Sequence, residues 1–204
     1  MKNILVILAS YLLGSVSFGY LAGRLVKGID IRRYGSGNMG TTNIQRTLGT
    51  WPALVVLALD IGKGVLAIVI AKTASDSSIL HILAGLAVVA GHNWSVLFRF
   101  TGGRGVATTL GVLCGLSPVV FLLDGIIILI IIAVTRYVSL ASILGAIVLP
   151  VLMILFKLPP VYIIAGCVFA VMIIWQHRPN IKRLIEGTEN RLGMKVKIEN
   201  EVKK

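Results

Sequence analysis

The sequence predicts an all-α protein: a polytopic membrane helix bundle of seven transmembrane segments, with its N-terminus outside and its C-terminus in the cytoplasm. Three observations carry that expectation. Of 204 residues, 56% are hydrophobic and only 14% charged, where a soluble domain carries about a quarter charged. Apolar runs recur from end to end, several near the roughly 20 residues a spanning helix needs. The basic residues, which give a formal net charge of +12, cluster in the gaps between those runs. In a soluble protein such a charge would raise nucleic acid as a partner. Here loop positions point instead to orientation and anionic lipid, so no nucleic acid is expected.

Taken in order, apolar segments cover approximately 3–26, 51–71, 79–98, 119–134, 140–156 and 161–176. The first begins after Lys2 and continues to Val26, too long for the apolar core of a signal peptide, so it is expected to stay as a span. Its Ser15, Gly19 and Gly23 follow the small-xxx-small spacing that suits close packing in lipid. The stretch 106–117 is the difficult one: twelve residues reach only about 18 Å against a core of roughly 30 Å. Ser117-Pro118 marks the expected break after it.

Charge decides whether 106–117 crosses. If it does, Lys27, Arg32, Arg33, Arg46, Arg99, Arg104, Arg136 and eight Lys/Arg of the tail share one side, and Lys2, Lys72 and Lys157 the other. If it does not, the division is far more even. The positive-inside bias therefore favours seven segments. The whole of 1–204 reads as one integral-membrane domain, with 177–204 a basic cytoplasmic tail.

Four polar clusters then fall on the cytoplasmic face: Gly35–Arg46 (GSGNMGTTNIQR), Gly91–Gly105 (GHNWSVLFRFTGGRG), Arg136–Ser142 (RYVSLAS) and His177–Asn180 (HRPN). In the first, glycines can turn successive N–H groups toward an anion, with Ser36, Asn38, Thr41, Thr42 and Asn43 adding hydrogen-bonding groups. Arg46 adds a planar fork for phosphate. In the second, Gly102, Gly103, Arg104 and Gly105 stand directly before the short segment at 106. A helix there would aim its N-terminal dipole at whatever the loop holds. His92 is either a base or a capping side chain. Arg136, Ser139 and Ser142 make up the third, with Ser139 a candidate helix cap. His177 and Arg178 in the fourth are also the cations a helix C-terminus attracts.

Within the apolar segments, Asp60 and Lys63 lie three apart on one helix face, either functional or an orienting ion pair. Asp124 is expected near the outer end of its segment, within reach of solvent. Cys114 and Cys167 read as small core residues. Eight carboxylates, four of them in the tail, supply no cluster suited to Mg²⁺ or Zn²⁺, so no metal or cofactor is expected. No phosphate-binding Walker loop or dinucleotide fingerprint is present. The H-x-x-x-x-D signature of a large acyltransferase class is also missing: five residues after His81, His92 and His177 stand Leu86, Leu97 and Lys182. Any reaction must run on positioning, cations and backbone N–H groups. A small anion or phosphate-ester transporter is the alternative, although no internal repeat supports it.

At these residues the chain resembles the bacterial acyl-phosphate:glycerol-3-phosphate acyltransferase family, the PlsY type. The matches run GSGNxGxTNxxR over 35–46, DxxKG over 60–64, Gly91-His92, GGxGVAT over 102–108, RxxSLAS over 136–142 and HRxNIxRLxxGTE over 177–189. The resemblance implies transfer of a fatty acyl group from acyl-phosphate to glycerol-3-phosphate, giving 1-acyl-glycerol-3-phosphate (lysophosphatidic acid) and phosphate, in phospholipid biosynthesis at the bacterial inner membrane. It implies that Gly102, Gly103, Arg104 and Gly105 bind glycerol-3-phosphate, and that Ser36, Arg46, His177 and Asn180 are needed for activity, with His92 a further candidate. Asn38, Thr41, Asn43, Ser142 and Arg178 are expected to bind substrate, and Glu189 to be structural. Membrane lipid is the expected surrounding, with no obligate protein partner. Thr101 and Arg104 stand where the family commonly has lysines, and Met39 and Ser95 where it usually has proline.

Overall fold

The computed structural model describes residues 1–194; the end of the basic tail, 195–204, lies outside the described residues. The described chain is helical, and its β-structure is one isolated bridge between Ser95 and Thr101. The helices are α1 (Lys2–Ser15), α2 (Phe18–Lys27), α3 (Thr41–Leu48), α4 (Thr50–Ala74), α5 (Ser78–Asn93), α6 (Val106–Leu116), α7 (Pro118–Thr135), α8 (Val138–Leu155), α9 (Pro160–Gln176) and α10 (Arg178–Ile185). By length and composition four spans qualify: Lys2–Lys27, α4, α7 and α8. A fifth qualifies if α9 and α10, bent by 61°, are taken together. The apolar helices α5 and α6 are shorter.

The first segment is broken. Val16 and Ser17 leave helical geometry between α1 and α2, so the small-residue stripe is not one continuous helix face. Gly19 and Gly23 instead pack under the backbone and side chains of Met39, Ile29 and Ile31, seating α2 on the loop that leads to α3. The break frees backbone carbonyls in an apolar setting, where each needs a partner. Lys63 Nζ donates to Gly14 O at 3.1 Å and to Val16 O at 3.0 Å, and Ser95 Oγ donates to Ser15 O at 2.7 Å. Ser95 thus ties its loop to the end of α1.

The break expected at Ser117-Pro118 is present: Ser117 ends α6 and Pro118 opens α7, where a missing N–H costs nothing. The short helix α6 lies across α4 at a crossing where Gly64 and Gly111 meet the partner backbone with no room for a β-carbon. Small residues permit such close approach in lipid. A core of Ile68, Val88, Val89, Val112, Leu113, Leu149, Met153 and Phe169 fills the centre of the bundle.

Asp124 departs from expectation. It is 4% exposed, buried on the face of α7 turned to Gly145 of α8 rather than at solvent. The glycine removes the side chain that would otherwise occupy its place.

Candidate active site

A cavity of about 430 Å³ brings together residues from all four polar clusters. At its polar end are Ser36, Asn38, Thr41, Asn43, Arg46, Arg104, Gly105, Ser139, Ser142, His177, Asn180 and Glu189. From there it continues as an apolar groove walled by α4 (Leu54, Leu57, Ile61), α6 (Leu110) and α7 (Phe121, Ile128, Leu129, Ile132). Leu54 and Leu129 line it while 47% and 65% exposed, so the groove opens sideways between α4 and α7. A second, polar cavity of about 390 Å³ shares Ser36, Asn38 and Arg104 with the first and adds Gly35, Gly37, Gly102, Gln176, Pro179, Arg183 and Asn190.

Three helix N-termini meet at this junction. The residues preceding α3, α6 and α10 are Gly40, Gly105 and His177; all three line the larger cavity, and none of these helices is capped by a side chain. The free N–H groups of α3 and α6 and the positive dipole ends of all three attract anionic groups, while at α10 Pro179 has no N–H and Asn180 N donates to His177 O at 2.9 Å. The first loop is shaped by glycines in the left-handed region, Gly35 at φ 61° and Gly37 at φ 70°, and Gly105 at φ 85° does the same before α6.

Two guanidinium groups add to this. Arg46 is buried and donates to Asn190 O at 3.2 Å, leaving its Nε without a partner. Among the described residues neither Arg46 nor Arg104 has a carboxylate within ion-pair distance; the pairs there are Asp30–Arg32, Asp60–Lys63, Asp60–His92, Lys182–Glu186 and Arg183–Glu189. Burial, with Arg183 nearby, lowers the Arg104 guanidinium to about 10, still charged at neutral pH. Thr41 Oγ1, Gln45 Oε1 and Asn180 Oδ1 are also buried without partners. Unsatisfied buried groups converging on one cavity mark a place for a polar ligand.

Glu189 organises the opposite wall. Burial would raise its carboxyl, but hydrogen bonds from Asn180, Arg183 and Ser139 hold it below the usual range. Asn180 Nδ2 and Ser139 Oγ donate to Oε1 at 2.7 and 2.9 Å, and Arg183 Nε to Oε2 at 2.6 Å. Ser139 is therefore a donor to Glu189, not a helix cap. Burial and Arg104 lower the His177 imidazole to about 4. Its Nδ1 lies 2.8 Å from Ile173 O; since a carbonyl only accepts, Nδ1 carries the proton and Nε2 is left as acceptor.

Several sequence-based assignments change. His92 Nδ1 is 2.9 Å from Lys63 Nζ and 3.5 Å from Asp60 Oδ1, so that nitrogen is engaged by the ion pair. The ring lies against Gly103, where a β-carbon would collide with it. His92 thus supports the glycine loop, while also lining the larger cavity. Gly103 lines neither cavity; its N–H donates to His92 O at 2.9 Å. Asn43 is saturated, accepting from Ser36 N at 2.9 Å and donating to Asn38 O and Tyr34 O at 2.8 and 3.0 Å. It shapes the loop and has little left for a substrate. Asn38 accepts from Gly40 N at 2.8 Å and reaches Gly102 O at 3.4 Å, joining the two glycine loops. Ser142 Oγ donates to Val138 O at 2.8 Å. Arg178 lies outside both cavities, its guanidinium 3.3 Å from the Trp175 ring centroid and its Nε donating to Trp175 O.

Arg183, Gln176 and Asn190, lining the polar cavity, were not singled out in the sequence. The i, i+6 placement of Arg183 and Glu189 around a Gly-Thr turn was the available signal.

Comparison with known proteins accounts for this arrangement. Residues 4–187 match the family model described as glycerol-3-phosphate acyltransferase. A glycerol-3-phosphate acyltransferase of Halalkalibacterium halodurans is 47% identical over 197 residues, covering 94% of this chain and 96% of that protein. One from Synechococcus sp. is 46% identical, covering 97% and 98%. Among solved structures, the glycerol 3-phosphate form of PlsY, an integral membrane glycerol 3-phosphate acyltransferase, superposes with a TM-score of 0.90 at 40% identity, covering 95% of this chain and 96% of that one. Its lysophosphatidic acid form gives 0.87 at 39% identity, covering 95% and 97%. The chain therefore belongs to the glycerol-3-phosphate acyltransferase family and is a membrane-embedded acyltransferase of lipid biosynthesis.

Proposed function

We propose that this chain transfers a fatty acyl group from acyl-phosphate to glycerol-3-phosphate, releasing 1-acyl-glycerol-3-phosphate and phosphate, on the cytoplasmic side of the bacterial inner membrane. The observation that carries the reading is the junction itself. Three uncapped helix N-termini and two guanidinium groups without carboxylate partners among the described residues meet where a polar cavity joins an apolar groove. Glycerol-3-phosphate suits the polar cavity, with Gly102, Arg104 and Arg183 on its phosphate. The acyl chain suits the groove and enters sideways between α4 and α7. Ser36 and Arg104, common to both cavities, stand where the two substrates meet.

Acyl-phosphate is a mixed anhydride, already activated, so no acyl-enzyme is needed. The glycerol hydroxyl oxygen attacks the acyl carbon, the bond from that carbon to phosphate breaks, and the hydroxyl proton leaves with a phosphate oxygen. Arg46 and the N–H groups at Thr41 and Val106 stabilise the charge that gathers on the acyl oxygen and leaving phosphate. An imidazole near 4, as at His177, is a weak base at neutral pH. A phosphate with a second pKa of about 6 is better matched to accept the proton. His177 then orients substrate through Nε2, and Asn180 through its unpartnered Oδ1.

The orientation follows from charge. Seven segments with the N-terminus outside place Arg46, Arg104, Arg183 and the site on the positively charged, cytoplasmic side. Incubation of the purified protein with acyl-phosphate and labelled glycerol-3-phosphate should yield labelled lysophosphatidate. No product from acyl-phosphate, acyl-CoA or acyl-carrier protein would overturn the acyltransferase reading; product from the latter two alone would overturn the donor.

A further inference from the structure

One lining residue of the groove has no evident reason to be what it is. Gly125 sits in the interior of α7, where glycine is a poor helix former. Its backbone does not require glycine, because it is not among the residues with positive φ. Packing does not require it either: a β-carbon there would meet nothing within 4 Å. What the missing side chain leaves is room, and the room belongs to the groove, since Gly125 lines it.

The positions that line the groove from α7, Phe121, Gly125, Ile128, Leu129 and Ile132, fall on a single helix face. Ile132 is nearest the polar junction, because α7 leads from there toward Val138 and Ser139 at the start of α8. At 1.5 Å rise per residue Gly125 lies about 10 Å beyond Ile132, and Phe121 about 16 Å beyond it. With carbon–carbon bonds of about 1.5 Å, the longer distance takes about thirteen carbons of an extended chain. Phe121 is half-buried against the central core, whereas Leu129 nearer the junction is largely exposed. The groove is thus open at its side near the reacting end and walled by an aromatic ring farther in.

We infer that Gly125 and Phe121 set acyl-chain length: Gly125 keeps the distal groove passable and Phe121 bounds it. This rests on the acyl-groove reading above. Because each methylene removed from apolar surroundings weakens binding severalfold, a side chain at Gly125 should act on long chains and spare short ones.

The test compares palmitoyl phosphate with octanoyl phosphate across Gly125→Ala, Gly125→Val and Gly125→Leu, with Gly62→Leu as control. Gly62 is exposed on α4, lines neither cavity and also has nothing within 4 Å of its β-carbon position. Gly62→Leu therefore repeats the gain in helix propensity without filling the groove. The palmitoyl-to-octanoyl ratio of kcat/KM should fall in steps along the Gly125 series, by at least about tenfold at leucine, and stay at the starting value in Gly62→Leu. Phe121→Ala should raise it. A ratio unchanged in the Gly125 series, or lost activity equal for both chains, would overturn the inference. Thermal stabilisation by octanoyl and palmitoyl lysophosphatidate gives a reading that needs no donor. If acyl-phosphate proves not to be the donor, the proposed reaction fails, yet Gly125→Leu should still lose stabilisation by the longer product selectively. Equal stabilisation of the wild-type and leucine proteins by that product would sink the length assignment alone.

Discussion

Two buried polar clusters share this apolar bundle, and they differ in how far their charges are paired. In the Asp60–Lys63–His92 cluster, Lys63 Nζ reaches Gly14 O, Val16 O and His92 Nδ1 and faces the Asp60 carboxylate at 2.8 Å, so its charge is paired, although Asp60 Oδ1 accepts no hydrogen bond and Asp60 and His92 also line the larger cavity. The Arg46–Arg104 corner has excess positive charge, three uncapped helix ends and polar atoms without partners. Both use ionisable groups that are costly in a membrane. The closed cluster spends them on the fold, capping a broken helix and steadying His92 beneath Gly103. The open one keeps its donors for something the chain itself does not contain. Pairing of the cations, more than burial or residue type, separates scaffold from site here.

Breaking the closed cluster should cost stability first. Lys63→Met leaves two backbone carbonyls unpaired and a buried carboxylate without its cation, a loss of about 3 kcal/mol. Thermal unfolding in detergent should show a much lower Tm, while the molecules that remain folded turn over within a few-fold of normal. A mutant of unchanged Tm would mean the cluster is not scaffold.

Opening the comparison from the other side, Arg104→Ala should leave Tm nearly unchanged and lower kcat/KM for glycerol-3-phosphate about a hundredfold, mostly through KM, because a charge-assisted contact to phosphate is lost. Arg104→Lys should recover much of it, since the charge returns without the planar fork. Saturation curves for the second substrate check both. A large fall in Tm in Arg104→Ala would place this arginine with the scaffold.

His177 gives a smaller effect with a defined pH window. Its folded imidazole is at about 4, below the ordinary 6.5, so between those values the unfolded chain binds more protons. The neutral, buried ring thus contributes stability above pH 6.5 that is lost as pH falls toward 4. His177→Asn should flatten that part of the stability profile. It should also keep turnover within about tenfold at saturating substrate if a phosphate oxygen takes the proton. A far larger loss in turnover, with a titration near 4 vanishing from the rate profile, would restore His177 as the base.

Much of this was legible in the sequence, and the limits have physical causes. The Ser117-Pro118 break, the helical start after Gly105 and the clustering of Ser36, Arg46, Arg104, His177 and Asn180 follow from local signals: proline chemistry, glycine loops and charge placement. The break at Val16–Ser17 did not show, because its carbonyls are satisfied by Lys63 and Ser95 from distant segments. The hydrogen bonds that take up Asn43 and His92 do not show in residue type either. Their residue types suit a ligand, but Asn43 is taken up by Tyr34, Ser36 and Asn38 within its own loop, and His92 by Lys63 of a different helix. In sequence Asp124 reads as reaching solvent, because the gap opposite it, at Gly145, belongs to another helix.

Arg178 offers the smallest effect and a clean control. It adjoins His177 and carries the charge a phosphate site would use, so sequence alone groups it with the substrate-binding residues. Its guanidinium instead lies over Trp175, and its Nε is spent on Trp175 O. An exposed stack of this kind is worth about 0.5–1 kcal/mol. Arg178→Ala should therefore keep kcat/KM for both substrates within about twofold, alongside the hundredfold loss at Arg104. A loss at Arg178 comparable to that at Arg104 would mean that nearness in sequence outweighs the direction of the side chain, and that the open corner extends past the cavity wall.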